Sequence, residues 1–288
     1  MIPDIIYVLE NTGFDPSWRY FLNVVNGTDL KFGRDIYFTY GPLGYLFYLM
    51  KLPGNTIEYW SGIVIWGIIF LFHLWMLLQL YRLYQKGKIH FWAITASVCC
   101  YLAGYYAPTR DNYLLYLMIL AVVLWAKGAK NIVLIPNLLL LLMFFGKFST
   151  FTSGFAFCIL FCIFDVLFRK NWKSIWLFLP GIILMPVCYL VYCPSIKNLF
   201  EYVAGILKIS SGWMLTMQFD SVLQPSEVRW LIILIACYVL LIIGNLWSNY
   251  KSSAAIIASC ASMFFLYKYA TTRHGLKVGI WLFAMLFS

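Results

Sequence analysis

The chain has 288 residues, of which 63% are hydrophobic and only 11% are charged, and its formal net charge is +10. Soluble domains carry about 25% charged residues, so this composition excludes an ordinary water-soluble protein. The basic residues stand in short clusters between long apolar runs, which is the pattern that orients membrane helices. It is not the pattern of a nucleic-acid-binding surface, and we expect no nucleic-acid partner.

Long apolar runs follow the first 60 residues of the chain. Backbone polar groups in lipid must be paired within their own segment, and continuous runs of this length are typical of helices rather than barrel strands. The predicted spans are 61–81, 91–107, 112–126, 131–146, 150–168, 174–193, 229–248, 253–270 and one from about 276 to Ser288. The sequence therefore predicts an all-α, polytopic transmembrane helical bundle of about eight or nine spans, with residues 1–60 as a first external loop and 61–288 as a single membrane domain.

The short loops between the predicted spans alternate in charge. One set is basic and almost free of acidic residues; it carries Arg82, Lys86, Lys88, Lys127, Lys130, Arg169, Lys170, Lys173 and Lys251. Basic short loops face the cytoplasm. The other set is then external, and it comprises residues 1–60, 108–111, 147–149, 194–228 and 271–275.

Two external stretches have the apolar spacing of a helix. The first begins with Asp15 as N-cap and Pro16 in the first turn, and its stripe is Trp18, Phe21, Leu22 and Val25. In the second, Leu199, Phe200, Val203, Ile206 and Leu207 form a stripe opposite Lys197, Glu201 and Lys208. We expect both to be amphipathic helices that lie on the membrane surface.

Charged residues gather on the predicted external side. They include Asp15, Arg19 and Arg34 in the first loop, Arg110 and Asp111 in the second, Lys147 in the third, and Arg273 and His274 in the last. Charges near membrane depth are costly, so they are usually paired or functional. Cations that hold a phosphate, beside a carboxylate that serves as a base, would suit a phosphorylated lipid substrate.

Each of these residues also has a structural interpretation. Asp15 could serve only as a helix cap, Arg34 and Asp35 could form a solvated loop pair, and Arg110 and Asp111 could simply end two helices. Lys147 could extend to the interface, and His274 could be a polar loop residue. His73 lies inside the first predicted span and is expected to be a hydrogen-bonded core histidine.

Two segments of the first loop carry a resemblance to a known family. Asp15–Trp18 and Phe38–Gly44, which reads FTYGPLG, resemble the first external loop of polytopic bacterial membrane proteins related to the GT-C glycosyltransferases. That superfamily includes the protein mannosyltransferases and the aminoarabinose transferases that modify lipid A. Lys147–Ser149, Ile209–Trp213 and Lys268–His274 are weaker matches.

The resemblance implies an enzyme that transfers a sugar from a polyprenyl-phosphate donor at the outer face of a cell membrane, most often a bacterial inner membrane. It implies that Asp15 is the general base and Asp111 a second carboxylate, and that Arg110, Lys147 and Arg273 bind the donor phosphate. Arg19, Arg34 and His274 are further candidates for substrate binding. Some relatives use a divalent cation and others do not, so the cofactor, like the sugar and the acceptor, stays open.

The chain also departs from the family pattern. Asp15 is followed by Pro16 rather than by a second acid. The first membrane helix and a soluble C-terminal domain are both missing, so we expect a fragment of a longer protein. Two alternatives therefore remain: a transporter or lipid flippase, for which the spans offer His73, Asp165, Pro180 and Pro186, and a non-catalytic membrane scaffold or inactive fragment.

Overall fold

The structure is a computed structural model that describes residues 14–89, 91, 94–95, 97–98, 110–193 and 195–217, with only the backbone for 14–17, 110–112 and 210–217. Within these ranges it is all-helical and has no β-strand. The helices are α1 (Phe14–Val24), α2 (Thr56–Gln85), α3 (Arg110–Ala126), α4 (Leu134–Gly146), α5 (Phe148–Arg169), α6 (Leu179–Tyr192) and α7 (Ile196–Met217). Short 3₁₀ turns occupy Val25–Gly27, Gly44–Tyr48, Lys130–Ile132 and Trp172–Leu177.

Three helical segments are long and apolar enough to cross a membrane by length and composition: Thr56–Gln85, Phe148–Arg169 and Trp172–Tyr192. At 1.5 Å per residue the first is about 45 Å long. Tyr113–Ala126 and Lys130–Gly146 are shorter apolar helices. The helices predicted at 61–81, 112–126, 131–146 and 150–168 are thus confirmed, whereas the run at 174–193 forms a 3₁₀ turn followed by α6. The prediction at 91–107 falls largely outside the described residues and those from 229 onward fall wholly outside them, so the number of spans stays a prediction.

Helices α3 and α5 run parallel in the core. The Sγ of Cys158 lies 3.7 Å from the Sδ of Met118. About two turns further along α3 and one turn further along α5, the Trp125 ring meets Phe161 with centroids 6.2 Å apart. Both contacts join buried side chains. Their order along the two helices places the first turn of α3 at the same end of the bundle as the first turn of α5.

The segments predicted to be cytoplasmic meet at the opposite end. The Lys130 ammonium lies 3.7 Å from the centre of the Trp125 ring, and Arg169 pairs with the buried carboxylate of Asp165 at 3.0 Å. Burial, together with the charge of Arg169 and Lys173, lowers the pKa of Lys130. The basic loops after α3 and α5 are therefore close enough to influence one another, as a shared membrane face requires.

Asn23 is the polar centre of the first loop. Its amide donates to the carbonyls of Arg19 (2.9 Å) and Tyr48 (2.8 Å), and its Oδ1 accepts from the Met50 N–H (3.0 Å). The side chain is almost fully buried. Because buried backbone groups need partners, this one amide fixes α1 against the turn that leads to α2. Asn55 extends the link by donating to the Met50 carbonyl at 2.9 Å.

His73 is a hydrogen-bonded core residue of α2, as predicted. Its Nδ1 lies 2.6 Å from the Tyr113 hydroxyl and its Nε2 lies 3.3 Å from the Ser97 Oγ. The Tyr116 hydroxyl donates to the same Ser97 Oγ at 2.6 Å. This network joins α2, α3 and the helical residues 97–98 inside the apolar core.

Candidate functional site

Two segments that are far apart in the sequence form one structural unit at the end of the bundle that the sequence predicts to be external. Residues 39–43 of the FTYGPLG segment lie along residues 145–148 at the junction of α4 and α5. The backbone bonds run from Gly41 N–H to the Gly146 carbonyl (3.1 Å), from Leu43 N–H to the Phe145 carbonyl (2.8 Å) and from Phe148 N–H to the Thr39 carbonyl (3.0 Å). The pairing places Tyr40 directly opposite Lys147.

Tyr40 is the centre of a group of rings and cations that we call the aromatic–cation cluster: Trp18, Arg19, Tyr40, Tyr48 and Lys147. Trp18 stacks on Tyr40 at 5.0 Å and meets Tyr48 edge-on at 4.7 Å. The Arg19 guanidinium lies 4.7 Å from the centre of the Tyr48 ring. The Lys147 ammonium lies 5.2 Å from the centre of the Tyr40 ring. The Arg19 guanidinium also lies 5.5 Å from the centre of the Trp18 ring. These three distances fall within the range of about 6 Å in which an aromatic face attracts a cation.

The two cations of the cluster are not ordinary surface residues. Lys147 is only 4% exposed, so the expectation that it extends to the interface is wrong. Its backbone caps the start of α5 and holds the ammonium inside the cluster. The Nε of Arg19 is buried, and no described side chain or backbone group accepts its hydrogen bond. A buried N–H donor of a guanidinium is a suitable partner for an anionic oxygen.

The carboxylate candidates belong to helices that begin at this same end. Asp15 lies within helix α1, one turn before Arg19, and is not the N-cap that we expected. Arg110 and Asp111 form the first turn of α3. Since α3 runs parallel to α5, that turn lies at about the level along the bundle axis where α5 begins, which is also the level of Lys147.

Arg34 lies in an exposed turn and forms the loop pair that was the alternative interpretation. Its Nη2 donates to Asp35 Oδ2 at 2.7 Å and its Nε lies 3.0 Å from Oδ1. The Lys31 N–H also donates to Oδ2, at 2.9 Å. The hydrogen bond from Arg34 and, to a lesser extent, that from Lys31 lower the pKa of Asp35. The hydrogen bond with Asp35 and the charge of that carboxylate raise the pKa of Arg34. In this arrangement the Arg34 guanidinium is already matched by a carboxylate.

A groove of about 530 Å³ opens beside the cluster. Its walls are mostly aromatic and aliphatic, and Asp35 is the carboxylate among them. The lining residues are Trp18, Phe21, Leu30, Asp35, Ile36, Tyr37 and Phe38. Trp18 belongs to both the groove and the cluster, and its ring lies 6.1 Å from that of Phe38. A molecule in the groove would therefore contact the ring on which Tyr40 stacks.

Only part of this site is marked in the sequence. Arg19, Lys147 and the segment that contains Tyr40 are candidates from their pattern, but nothing local marks Tyr48 as part of a distant cluster. Arg273 and His274 lie outside the described residues. In the part of the chain that the structure describes, no group of three or more His, Cys, Asp or Glu side chains could hold a metal ion, and a divalent cation stays open.

Comparison of the chain with protein-family models, curated proteins and solved structures finds no match. The resemblance to the GT-C glycosyltransferases is therefore supported only by the segments quoted above.

Proposed function

We propose that this chain is a multi-pass protein of a cell membrane, with about eight or nine spans, that transfers a sugar from a polyprenyl-phosphate donor to an acceptor at the outer face. A bacterial inner membrane is the compartment that the family resemblance favours. The all-helical fold and its three segments of spanning length support the membrane part of the proposal.

One observation carries the catalytic part. Helix α1, the FTYGPLG segment and the α4–α5 junction meet in the aromatic–cation cluster, and α3 begins at the same end of the bundle. They carry Asp15, Asp111 and Lys147, to which the resemblance assigns roles, and Arg19, a further candidate for substrate binding. Arg19 and Lys147 are more than 90 positions apart in sequence, and they would not need to share a cluster if each only ended its own helix.

The proposed reaction uses these groups in separate roles. Asp15 accepts a proton from the acceptor hydroxyl or amine while the acceptor atom bonds to the anomeric carbon of the sugar. The bond from that carbon to the phosphate oxygen breaks and polyprenyl phosphate leaves. Arg19, Lys147 and Arg110 offer positive charge where the negative charge of the leaving phosphate develops, which is the usual source of such stabilisation. Asp111 is the second carboxylate, and Arg273 and His274 are the candidates from the last external loop.

Native mass spectrometry of the purified protein tests the donor site without a guess about the sugar. We expect wild-type protein to retain a polyprenyl-phosphate species and Lys147→Met to lose it. A charge-assisted hydrogen bond contributes about 1.5–3 kcal/mol, so binding should weaken by about ten- to a hundredfold. Lys88→Met removes a lysine at the opposite end of the bundle and is the matched control.

Asp15→Asn and Asp111→Asn separate binding from chemistry. Both variants should retain the lipid that Lys147→Met loses, and Asp15→Asn should fail to turn it over. If wild type and all variants carry only bulk phospholipid, the enzymatic proposal is wrong and a scaffold or inactive fragment becomes the better interpretation.

The His73 network is the one observation that favours a lipid flippase or transporter, because such proteins place hydrogen-bonded polar groups within their spans. His73→Phe in proteoliposomes distinguishes the two. Loss of lipid translocation by a stable variant would support the flippase. If His73→Phe lowers only the stability of the protein, His73 is a structural residue.

A further inference from the structure

Helix α7 has three faces where the sequence predicted two. One face is buried in the protein and consists of Leu199, Tyr202 and Ile206. A second apolar face is exposed and consists of Ile196, Phe200 and Leu207, with Phe200 71% exposed. The third face is charged and carries Lys197, Glu201 and Lys208. The apolar stripe expected from the sequence is therefore divided: part of it is buried in the protein and part of it is exposed.

The buried face of α7 packs on the loop that forms the candidate site. Tyr202 meets the Phe32 ring edge-on at 6.2 Å, and its hydroxyl lies 2.7 Å from where a side chain on Gly41 would begin. Gly205 leaves room for the Tyr37 ring. Tyr202 also meets the rings of Phe144 and Tyr189. These contacts account for the buried face and do not account for the exposed apolar one.

Helix α6, which precedes α7 in the chain, also has an exposed apolar face. There, Ile183, Val187 and Val191 are open, with Val191 81% exposed. They belong to a segment of membrane-spanning length, Trp172–Tyr192. Exposed apolar side chains on such a segment are expected to meet lipid, and the sequence between Val191 and Ile196 carries no charged residue.

The charged face of α7 determines how the helix can meet that lipid. Lys197 pairs with Glu201 one turn later at 3.6 Å, and Lys208 lies on the same side two turns further along. A charged strip along at least three turns excludes a helix that crosses the bilayer. An apolar strip beside a charged strip is typical of a helix that lies in the interface plane, with its apolar side about 5–10 Å into the headgroup and acyl boundary.

We propose that α7 lies in the plane of the membrane–water interface, with Ile196, Phe200 and Leu207 in the acyl boundary and its charged face among the headgroups. Its buried face then holds the first loop and the aromatic–cation cluster at headgroup depth. The inference rests on the proposed membrane placement and extends it: a lipid-linked phosphate would meet the cluster without leaving its own level in the bilayer.

Spin-label accessibility in proteoliposomes of phosphatidylcholine and phosphatidylglycerol tests the proposal. Nitroxides are attached at Phe200→Cys and Leu207→Cys, with Lys197→Cys and Lys208→Cys as the matched charged-face controls. The signal of labelled wild type corrects for the native cysteines. We expect collisions with oxygen, which concentrates in lipid, to exceed those with a water-soluble nickel complex several times more at the first two sites than at the controls.

Each other outcome overturns the proposal. Equal, nickel-dominated accessibility at all four sites would place α7 in water. Low accessibility to both reagents at Phe200 and Leu207 would mean that protein covers this face, such as a second copy of the chain. The measurement needs no turnover, so the interfacial helix and the transferase activity can fail independently.

Discussion

Gly41→Ala should disrupt the contact between the first loop and the α4–α5 junction. A Cβ at residue 41 would lie 2.5 Å from the Phe145 carbonyl oxygen and 2.7 Å from the Tyr202 hydroxyl. The carbonyl is backbone and cannot rotate away. The loop must therefore move, and with it the hydrogen bond from Gly41 N–H to the Gly146 carbonyl at 3.1 Å.

The cost can be estimated from the contacts that the movement affects. Forcing extra volume into a packed region costs about 1–3 kcal/mol. Loss of one or two of the three backbone bonds adds about 0.5–1.5 kcal/mol each. We therefore expect the free energy of unfolding to fall by about 2–4 kcal/mol, and residues 39–43 to lose protection from amide exchange before the rest of the fold does.

Thermal unfolding and hydrogen exchange in lipid nanodiscs measure these effects. Gly67→Ala is the matched control, because Gly67 lies within α2 and has open space where its Cβ would be. Helix propensity predicts that this control is neutral or up to about 1 kcal/mol more stable. A Gly41→Ala protein that melts with wild type and keeps its exchange protection would refute the close approach of the two segments.

Two further predictions concern polar groups at the ends of the bundle. Asn137→Leu should lower the unfolding temperature strongly, because the buried amide donates to the Trp176 carbonyl (2.9 Å) and accepts from the Gly181 N–H (2.7 Å), and both partners would lose their bonds. The stability difference between wild type and Asp35→Asn should be present near neutral pH. It should vanish as the pH falls through the pKa of Asp35, because Arg34 holds that pKa below its ordinary 3.8 and the contribution is lost once the folded carboxylate is protonated. A difference that persists at pH values well below this range would show that the carboxylate charge is not responsible.

The helices of the described region could be predicted from sequence because their signals are local. An apolar run of sufficient length, ended by basic residues, predicts both that a helix exists and roughly where it stops. The run at 61–81 became Thr56–Gln85, and that at 150–168 became Phe148–Arg169. The run at 174–193 was predicted as one helix, but the structure divides it at Phe178 into a 3₁₀ turn and α6. Pro180 lies at the start of α6, where its missing N–H costs nothing, and it favours a helix start at that point.

The contacts that form the site could not be predicted, because each joins residues far apart in the chain. The composition of FTYGPLG gives no reason to expect that its backbone pairs with residues 145–148. The apolar stripe of α7 shows the same limit in another form. Helical spacing says that Leu199 and Phe200 lie on adjacent parts of one surface, but only the position of the first loop decides that Leu199 is buried and Phe200 is not.

A double substitution tests whether α7 and the first loop are joined through Tyr202. Its hydroxyl is buried and has no hydrogen-bond partner among the described residues, and burial raises the pKa of Tyr202, so the hydroxyl stays neutral. An unpaired buried hydroxyl costs about 1–3 kcal/mol, so Tyr202→Phe alone should be neutral or slightly stabilising. The same change removes one of the three atoms that a Cβ on Gly41 would meet.

Tyr202→Phe should therefore recover part of the stability that Gly41→Ala loses, with a coupling energy of about 0.5–2 kcal/mol in a double-mutant cycle. The recovery must be incomplete, because the clash with the Phe145 carbonyl remains. Gly67→Ala combined with Tyr202→Phe should show no coupling. Additive effects for Gly41 and Tyr202 would mean that α7 does not press on the loop at this point, and the candidate site would then lose its link to the membrane surface.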